Sequence, residues 1–364
     1  MERIWPWASR GLRHGGGNDR YGEASRWSTG RCGGGQSREG VAGESVQRVS
    51  SVYLSSSEFP GIASAVAVGA FDGFHVGHQR IVGELVDCGH KASLATVIYT
   101  FRRNPKLTTR GIQGLLTTNS ERVEYAGKTG VDSIVLEDFS ARFQGLSAEA
   151  FVSEILIGRL NAWVVVVGRD FRFGKGRAGD AETMSRMLDN EGRRLIIVAP
   201  VMVDGELCSS SMIRTSIAEG DMEHAARLLG RSYSIEGVIV TGNHMGGRLG
   251  FPTANVEIPD PMKLLPGNGV YAVRTVMDGA IVNGVCNIGV RPTIVAASRR
   301  TVEVHLLDFD QQVYGHLVSV EFAARLREEV HFASPAALVK QISRDVVRAR
   351  VILGPVGDRQ AMAK

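Results

Sequence analysis

The stretch from Val66 to His78, Val-Ala-Val-Gly-Ala-Phe-Asp-Gly-Phe-His-Val-Gly-His, constrains this chain more than any other. An apolar, β-branched run ends in a glycine-bearing turn, and an amphipathic helix carrying Ile81, Val82, Leu85 and Val86 opens after it. Such runs favour strands, and that spacing puts the apolar side chains on one helical face. A strand feeding a helix in this way is the building unit of a parallel sheet. The helix start offers free N–H groups and a partial positive charge, so it attracts phosphate. The glycines let backbone approach a ligand, and His75 and His78 can hydrogen-bond phosphoryl oxygens as charge develops on them. The turn has no Walker lysine. Nor is it a zinc helix, whose histidines are spaced i, i+4 around a glutamate; here Val76 and Gly77 intervene.

The rest of the N-terminal half repeats this alternation. Strands are predicted at Val66–Val68, Ser93–Phe101, Ser133–Leu136, Trp163–Val167 and Leu195–Val198. Helices are predicted between them at Gln79–Lys91, Ser120–Lys128, Ala148–Leu160 and Ala181–Leu188. Continuous apolar strands between helices indicate a parallel sheet covered on both faces, with ligands beyond the C-terminal strand ends. Two short helices follow Ser211, and the texture then changes. Five strand-like segments, Tyr233–Thr241, Gly269–Thr275, Val282–Ile288, Thr301–Phe309 and His316–Phe322, are separated by Gly, Pro, Asn and Asp. They predict an antiparallel barrel, closed by a helix over Pro335–Val347.

The expected organisation is therefore an extension over residues 1–60, an α/β domain over 61–229, a β-barrel domain over 230–352 and a tail over 353–364. The extension is rich in Gly, Arg and Ser and has no sustained hydrophobic period. Such composition favours disorder, or a start assigned too far upstream. It lacks the apolar region of a secretory signal, and its acidic residues count against a transit peptide.

With 364 residues, 43% hydrophobic and 22% charged, the chain has the length for about two domains and the composition of a soluble globular protein. The net charge of +4 suits anionic small molecules, and no dense basic patch with interleaved aromatics argues for nucleic acid. Cys32, Cys88, Cys208 and Cys286 are scattered without a C-x-x-C, which fits a reducing, cytoplasmic setting. No apolar run reaches the roughly 18 residues of a membrane span.

Four further segments carry chemistry. Gly168-Arg169-Asp170-Phe171-Arg172-Phe173-Gly174-Lys175-Gly176-Arg177-Ala178-Gly179-Asp180 follows a buried strand. It is not a P-loop, because Gly176 stands where Ser or Thr would bind magnesium. Phe171 and Phe173 can stack on a flat ring or pack the loop, and Asp170 can accept from the edge of adenine or flavin. Ser209-Ser210-Ser211-Met212-Ile213-Arg214 combines a helix cap with an arginine one turn in, able to stabilise departing pyrophosphate. Gly246-Gly247-Arg248-Leu249-Gly250-Phe251-Pro252-Thr253-Ala254-Asn255 places Thr253 and Asn255 on one side of an extended segment, as hard oxygen donors for Mg²⁺. Thr301–Asp308 alternates cleanly, with Val302, Val304 and Leu306 on one face and Glu303 and His305 on the other. The tract Arg102-Arg103-Asn104 is either a phosphate contact or an exposed basic loop.

These motifs carry a family resemblance. Gly-x-Phe-Asp-Gly-x-His-x-Gly-His over 69–78, the 168–180 string and Ser209–Arg214 resemble the FAD synthetase branch of the nucleotidylyltransferases. The 247–255 segment, Asn287-Ile288-Gly289-Val290-Arg291-Pro292-Thr293, the Glu303 strand and Leu326-Arg327-Glu328-Glu329 resemble riboflavin kinase. Together they match a bifunctional, bacterial-type riboflavin kinase/FMN adenylyltransferase over about residues 60–350. The resemblance implies a Rossmann-like nucleotidylyltransferase domain followed by a riboflavin kinase barrel. Riboflavin, FMN, FAD and ATP would be its substrates and products, with Mg²⁺ accompanying ATP, in a monomer or weak homo-oligomer. It implies catalytic roles for Glu303, His75, His78 and Arg214. Nucleotide contacts fall to Gly69, Phe71, Asp72, Gly73, Gly77, Ser209, Ser210, Ser211, Gly247, Arg248, Gly250 and Pro252. Flavin contacts fall to Asp170, Phe171, Phe173, Asn287, Arg291 and Arg327, and metal contacts to Thr253 and Asn255. Ala70 and Arg102–Asn104 depart from the family pattern in the N-terminal half. Adenylylation is nonetheless expected, because His75, Gly77, His78 and Arg214 are intact. The alternatives are a chain that makes only FMN, a flavin-binding regulator without turnover, and a nucleotidylyltransferase acting on another alcohol phosphate.

Overall fold

The computed structural model describes residues 51–103, 105, 114–242, 247, 249–290 and 300–356. The N-terminal half contains β1 (Ser51–Tyr53), β2 (Ser64–Val68), β3 (Ala95–Phe101), β4 (Ser133–Glu137), β5 (Ala162–Gly168) and β8 (Arg194–Val198). These six strands form one all-parallel sheet in the order β1-β4-β3-β2-β5-β8. Two-residue ribbons pair β6 (Arg172–Phe173) with β7 (Gly179–Asp180), and β9 (Met202–Val203) with β10 (Glu206–Leu207). The helices are α1 (Val76–Ala92), α2 (Asn119–Gly127), α3 (Ala141–Gln144), α4 (Ala148–Ala150), α5 (Ala181–Asp189), α6 (Ser210–Glu219) and α7 (Met222–Leu229). The helix expected over Ala148–Leu160 continues past α4 as wider π turns, Phe151–Arg159, with Leu160 N–H donating to Ile155 O at 3.0 Å.

All five residues of β2 are buried, as a strand covered on both faces requires. Ala65 and Ala67 pack with Val82 and Leu85 of α1 on one face. Val66 and Val68 pack with Phe151, Leu156, Met184 and Leu188 on the other. Sheet order reverses at β2, which lies between β3 and β5, so the crevice of a doubly wound sheet opens directly after Val68.

Residues 51–60, expected as part of the extension, belong to the fold. Ser51–Tyr53 pairs with Ser133–Val135 as an edge strand, and Ser56 N–H donates to the Glu137 carboxylate at 2.9 Å. Phe59 is buried and meets the Tyr53 ring edge-on at 5.5 Å. A three-residue edge strand has too short a run to show periodicity, which is why the composition of its surroundings concealed it.

The second half is a closed, all-antiparallel barrel. Its order is β11 (Tyr233–Val240), β12 (Ala254–Glu257), β15 (Arg300–Leu306), β14 (Ala280–Val290), β13 (Gly269–Met277) and β16 (Leu317–Arg327). The barrel has six strands where five were predicted; the sixth, β12, forms in the segment read as extended around Thr253 and Asn255 but not counted among the barrel strands. The closing helix α8 (Pro335–Leu353) is capped by Ser334 and runs six residues past its expected end at Val347. It packs Ala349 and Leu353 on the outer barrel face against Val270, Ala272, Val285 and Leu307.

No boundary in the core corresponds to the boundary in texture at Gly230. One hydrophobic cluster runs from Ile213, Ile217, Leu228 and Leu229 of α6 and α7 into Tyr233, Ile235, Val256, Tyr271 and Phe322 of the barrel. On β11, Glu236 feels the charges of Glu121 and Glu124 of α2 and, in the opposite sense, those of Lys263 and Lys128. Burial, and then the two carboxylates, push its carboxyl up to about 7 from 4.5.

Two outcomes follow. A chain begun at Gly61 loses Phe59 and the Ser56 donor of Glu137. It should unfold with a free energy about 2–5 kcal/mol smaller than a chain begun at residue 50, as read by urea denaturation. As pH rises from about 4.5 to about 7, the unfolded chain releases a Glu236 proton that the fold retains, so this group lowers stability across that window. Glu236→Gln should remove that part of the fall in melting temperature.

Candidate active sites

The turn after β2 is held in a strained shape. Phe71 and Phe74 have φ of 45° and 43°, and Gly73 between them has φ of 87°. Left-handed backbone costs a non-glycine residue roughly 1–2 kcal/mol. Burial of both phenyl rings, 1% and 2% exposed, offsets it. A Cβ on Gly73 would lie 2.8 Å from Leu116 Cδ1, so glycine is required there for space as well as for φ.

Asp72 is the centre of this turn. Its Oδ1 accepts from Leu116 N–H at 2.9 Å and from Thr117 N–H at 3.0 Å, while Oδ2 accepts from the Arg214 guanidinium. Gly73 N–H donates to Thr117 Oγ1 at 2.9 Å, and Ser210 Oγ donates to Asp72 O at 3.0 Å. Arg214 also donates to Gly114 O at 3.2 Å and to Ser210 O at 3.1 Å. Asp72 and Ser210, expected as nucleotide contacts, thus direct these groups to the protein, where they aim Arg214. Ser209 caps α6 through Met212 N–H, and Ser211 is exposed on the first turn.

His75 occupies the N-cap of α1 and stacks on His78, with ring centroids 3.7 Å apart and planes 23° apart. Phe71 meets His78 edge-on at 5.2 Å. Cys208 Sγ lies 3.5 Å from His75 Nδ1 and donates to Leu228 O at 3.4 Å. A Cβ on Gly77 would come within 3.1 Å of the His75 ring, so this glycine makes room for the imidazole. His75 and His78 are thus paired at the start of α1, and Arg214 of α6 is bound to Asp72 of the turn that precedes them.

Phe173 is the deeper of the two aromatic residues in its loop. It is buried in the sheet's hydrophobic cluster, 5.6 Å from Phe151, and a Cβ on Gly179 would meet its ring at 2.7 Å. Its side chain packs the loop against Phe151 and Phe171. Phe171, half-buried, stacks on it at 5.7 Å. Asp170 is exposed at the end of β5, close to Gly168. Arg102 and Arg103 are exposed after β3, and Asn104 lies outside the described residues.

The sequence motifs did not reveal Arg122. It is 1% exposed and donates to Ala70 O, Thr100 Oγ1 and Phe101 O at 3.2, 3.1 and 2.8 Å, and to Asn119 Oδ1 at 2.7 Å. It joins the C-terminal ends of β2 and β3. Burial lowers its pKa, and the nearby Asp72 and Glu121 charges oppose that shift. Its only sequence signal is the capping box Thr118/Glu121, which locates the helix start but not what the next residue touches.

In the barrel, strand register assembles the second site. Glu303 on β15 lies opposite Asn255 of β12 on one side and opposite Asn287 of β14 on the other. Directly opposed residues share a face, so all three stand in one row. Val285, two residues from Asn287, lies under α8, which puts the row on the outer face of the barrel. Val302, Val304 and Leu306 fill the interior. His305 Nδ1 donates to Pro252 O at 2.8 Å and its ring meets Phe251 edge-on at 5.4 Å, tying the segment before Thr253 to β15. A Cβ on Gly242 would overlap the Asn255 amide. Arg327 donates to Asp345 of α8 at 2.9 Å, which fixes its guanidinium against the closing helix. Gly247 and Gly250 are exposed, and Arg248 and Arg291 lie outside the described residues. Among the described residues, no three His, Cys, Asp or Glu side chains form a metal-holding group, and no helix is long and apolar enough to cross a membrane.

A stacked histidine pair with a clamped arginine at the switch point of a parallel sheet, joined to a barrel with a glutamate between two amides, defines a two-domain phosphate-transfer enzyme. Comparison with known proteins narrows this class. Residues 61–212 match the FAD synthetase family and residues 229–353 the riboflavin kinase family. The chain is 35% identical over 301 residues to the bifunctional riboflavin kinase/FMN adenylyltransferase of Escherichia coli (strain K12), covering 82% of this chain and 95% of that protein. It is 34% identical over 287 residues to the enzyme of the same description from Bacillus subtilis (strain 168), covering 78% and 90%. A solved structure described as a macrolide-efflux protein from Streptococcus pneumoniae superposes with a TM-score of 0.76 at 30% identity, covering 83% of this chain and 99% of that one. The chain belongs to the bifunctional riboflavin kinase/FMN adenylyltransferase family.

Asp72→Ala should release Arg214 while leaving the barrel intact. FAD formation from FMN should fall on the order of 100-fold, the cost of misplacing one stabilising group. FMN formation from riboflavin by the same preparation should be unchanged.

Proposed function

We propose how the two activities of this family, riboflavin phosphorylation and FMN adenylylation, are distributed over these residues. In the barrel, Glu303 takes the proton of the riboflavin 5′-hydroxyl as its oxygen attacks the γ-phosphorus of ATP. FMN forms and ADP leaves. In-line phosphoryl transfer asks for little beyond a base, positioning and charge stabilisation. Asn287 and Arg327 orient the flavin, and Gly247, Arg248, Gly250 and Pro252 approach the nucleotide. Thr253 and Asn255 provide the neutral, hard oxygen donors that suit Mg²⁺, which prefers such ligands and keeps several waters. Bound there, Mg²⁺ would neutralise triphosphate charge.

In the α/β domain, an FMN phosphate oxygen attacks the α-phosphorus of a second ATP, and the bond to the β-phosphate bridging oxygen breaks. FAD and pyrophosphate result. The nucleophile is already ionised, so no general base is needed. His75 and His78 donate to the charge that grows on the α-phosphoryl oxygens, and Arg214 to the departing pyrophosphate. Gly69, Gly73 and the start of α6 lie where the triphosphate would approach backbone. Asp170, Phe171 and Phe173 are the candidates for the flavin edge. We place the enzyme in the cytoplasm, as a monomer or weak homo-oligomer, acting on small molecules and not on nucleic acid.

The observation that carries this reading is the single row of Asn255, Glu303 and Asn287, which strand register brings together from three separate motifs. Riboflavin, ATP and Mg²⁺ incubated with the wild-type protein should yield both FMN and FAD on chromatography. Glu303→Ala should lower FMN formation about 10²- to 10⁴-fold. His78→Ala should accumulate FMN, with FAD formation reduced about 10²- to 10³-fold. FMN as the sole wild-type product would contradict the assignment of the first site.

A further inference from the structure

We infer that Lys263, a residue of the kinase barrel, is a positioning residue for adenylyl transfer in the other domain. The inference rests on the role proposed for Arg214.

Lys263 lies in the loop before β13, and its side chain is 2% exposed. Its ammonium donates to both carboxylate oxygens of Glu121, at 2.7 and 2.6 Å, and to Leu116 O at 2.9 Å. It also sits 4.7 Å over the ring of Tyr233. The backbone of the same loop docks alongside. Leu115 N–H donates to Met262 O at 2.6 Å, and Leu264 N–H donates to Leu115 O at 2.9 Å, forming a parallel bridge between Leu115 and Lys263.

Residues 114–117 are thus a strap with two working edges. The barrel grips one edge, through Met262, Lys263 and Leu264. The other edge grips the adenylyl-transfer site. Leu116 and Thr117 N–H groups hold Asp72, Thr117 Oγ1 holds Gly73 N–H, and Gly114 O holds Arg214 Nε. Hydrogen bonds of this short segment and of Asp72 connect Lys263 to Arg214; further along the same barrel loop, Gly267 N–H donates to Ile217 O of α6 at 2.9 Å.

A buried ion pair is a poor way to gain stability, since desolvating two charges consumes most of the attraction. The pair does specify geometry, because an ammonium with fixed acceptors allows the strap one position. Glu121 completes the arrangement. It closes the α2 capping box by accepting from Thr118 N–H at 2.8 Å, one residue beyond the strap.

The test uses the full chain and follows FMN formation from riboflavin and FAD formation from FMN in one preparation. Lys263→Met, and the double variant Glu121→Gln with Lys263→Met, should each lower kcat for FAD formation on the order of 10- to 100-fold, with KM for FMN and ATP little changed. Kinase kcat and KM should match wild type in both. Lys263→Arg, which keeps the cation, should restore part of the lost rate. The double variant leaves no uncompensated charge, so it carries the test where the single variant fails to fold. Wild-type FAD kcat in the double variant overturns the inference, as does an equal loss of both activities or loss of the native fold in the double variant. Arg214→Ala separates the two levels. If it leaves FAD formation intact, the reading of the site has failed; if it abolishes FAD formation while the double variant does not, the role of Lys263 alone has failed.

Discussion

The carboxylate of Asp72 is the interaction on which the first site depends. It is buried in a turn that contains three left-handed residues, and it has donors from two directions: the backbone of residues 116 and 117 and the guanidinium of Arg214. The strained turn, the helix N-terminus and the arginine are therefore parts of one hydrogen-bonded unit. A buried carboxylate without those donors would be costly, and a buried guanidinium without that carboxylate equally so. Each partner makes the other's burial tolerable, and the histidine pair is displayed on the rigid result.

The second site is assembled by a different principle. Among the described residues, no buried ion pair organises it. Antiparallel register does, since a shift of one residue between β15 and either neighbour would turn Asn255 or Asn287 to the opposite face from Glu303. That register is set by the alternating valines of β15 in the barrel interior and by the outer apolar residues under α8. The hydrophobic pattern and the chemical pattern are the two faces of the same strands.

Much of this was legible in the amino-acid order, and the exceptions have a common cause. His75, His78, Arg214, Glu303, Thr253 and Asn255 are marked by local motifs, and alternation along the Glu303 strand correctly separated core from polar face. Strand β1 and strand β12 were too short, or too rich in turn residues, for period to show. The packing of Phe173 on Phe151 is a contact no local pattern contains. Arg122, Lys263 and Glu121 have long-range partners: strand ends for Arg122, and each other across the two domains for the latter pair. A charged residue in a helix's first turn or a loop reads as solvated until the chain folds something over it.

The hydrophobic cluster that passes without a break from α6 and α7 into the barrel has a consequence for how such a chain can be divided. The change of texture at Gly230 suggests a natural place to cut a gene into two separately expressed enzymes. Cutting there would leave Ile213, Ile217, Leu228 and Leu229 on one fragment and their barrel partners on the other, each now facing water. Fragments of that kind adhere to one another or to themselves. Recombination that keeps α6 and α7 with the barrel would preserve more of the buried surface than one that follows the boundary between the two chemistries.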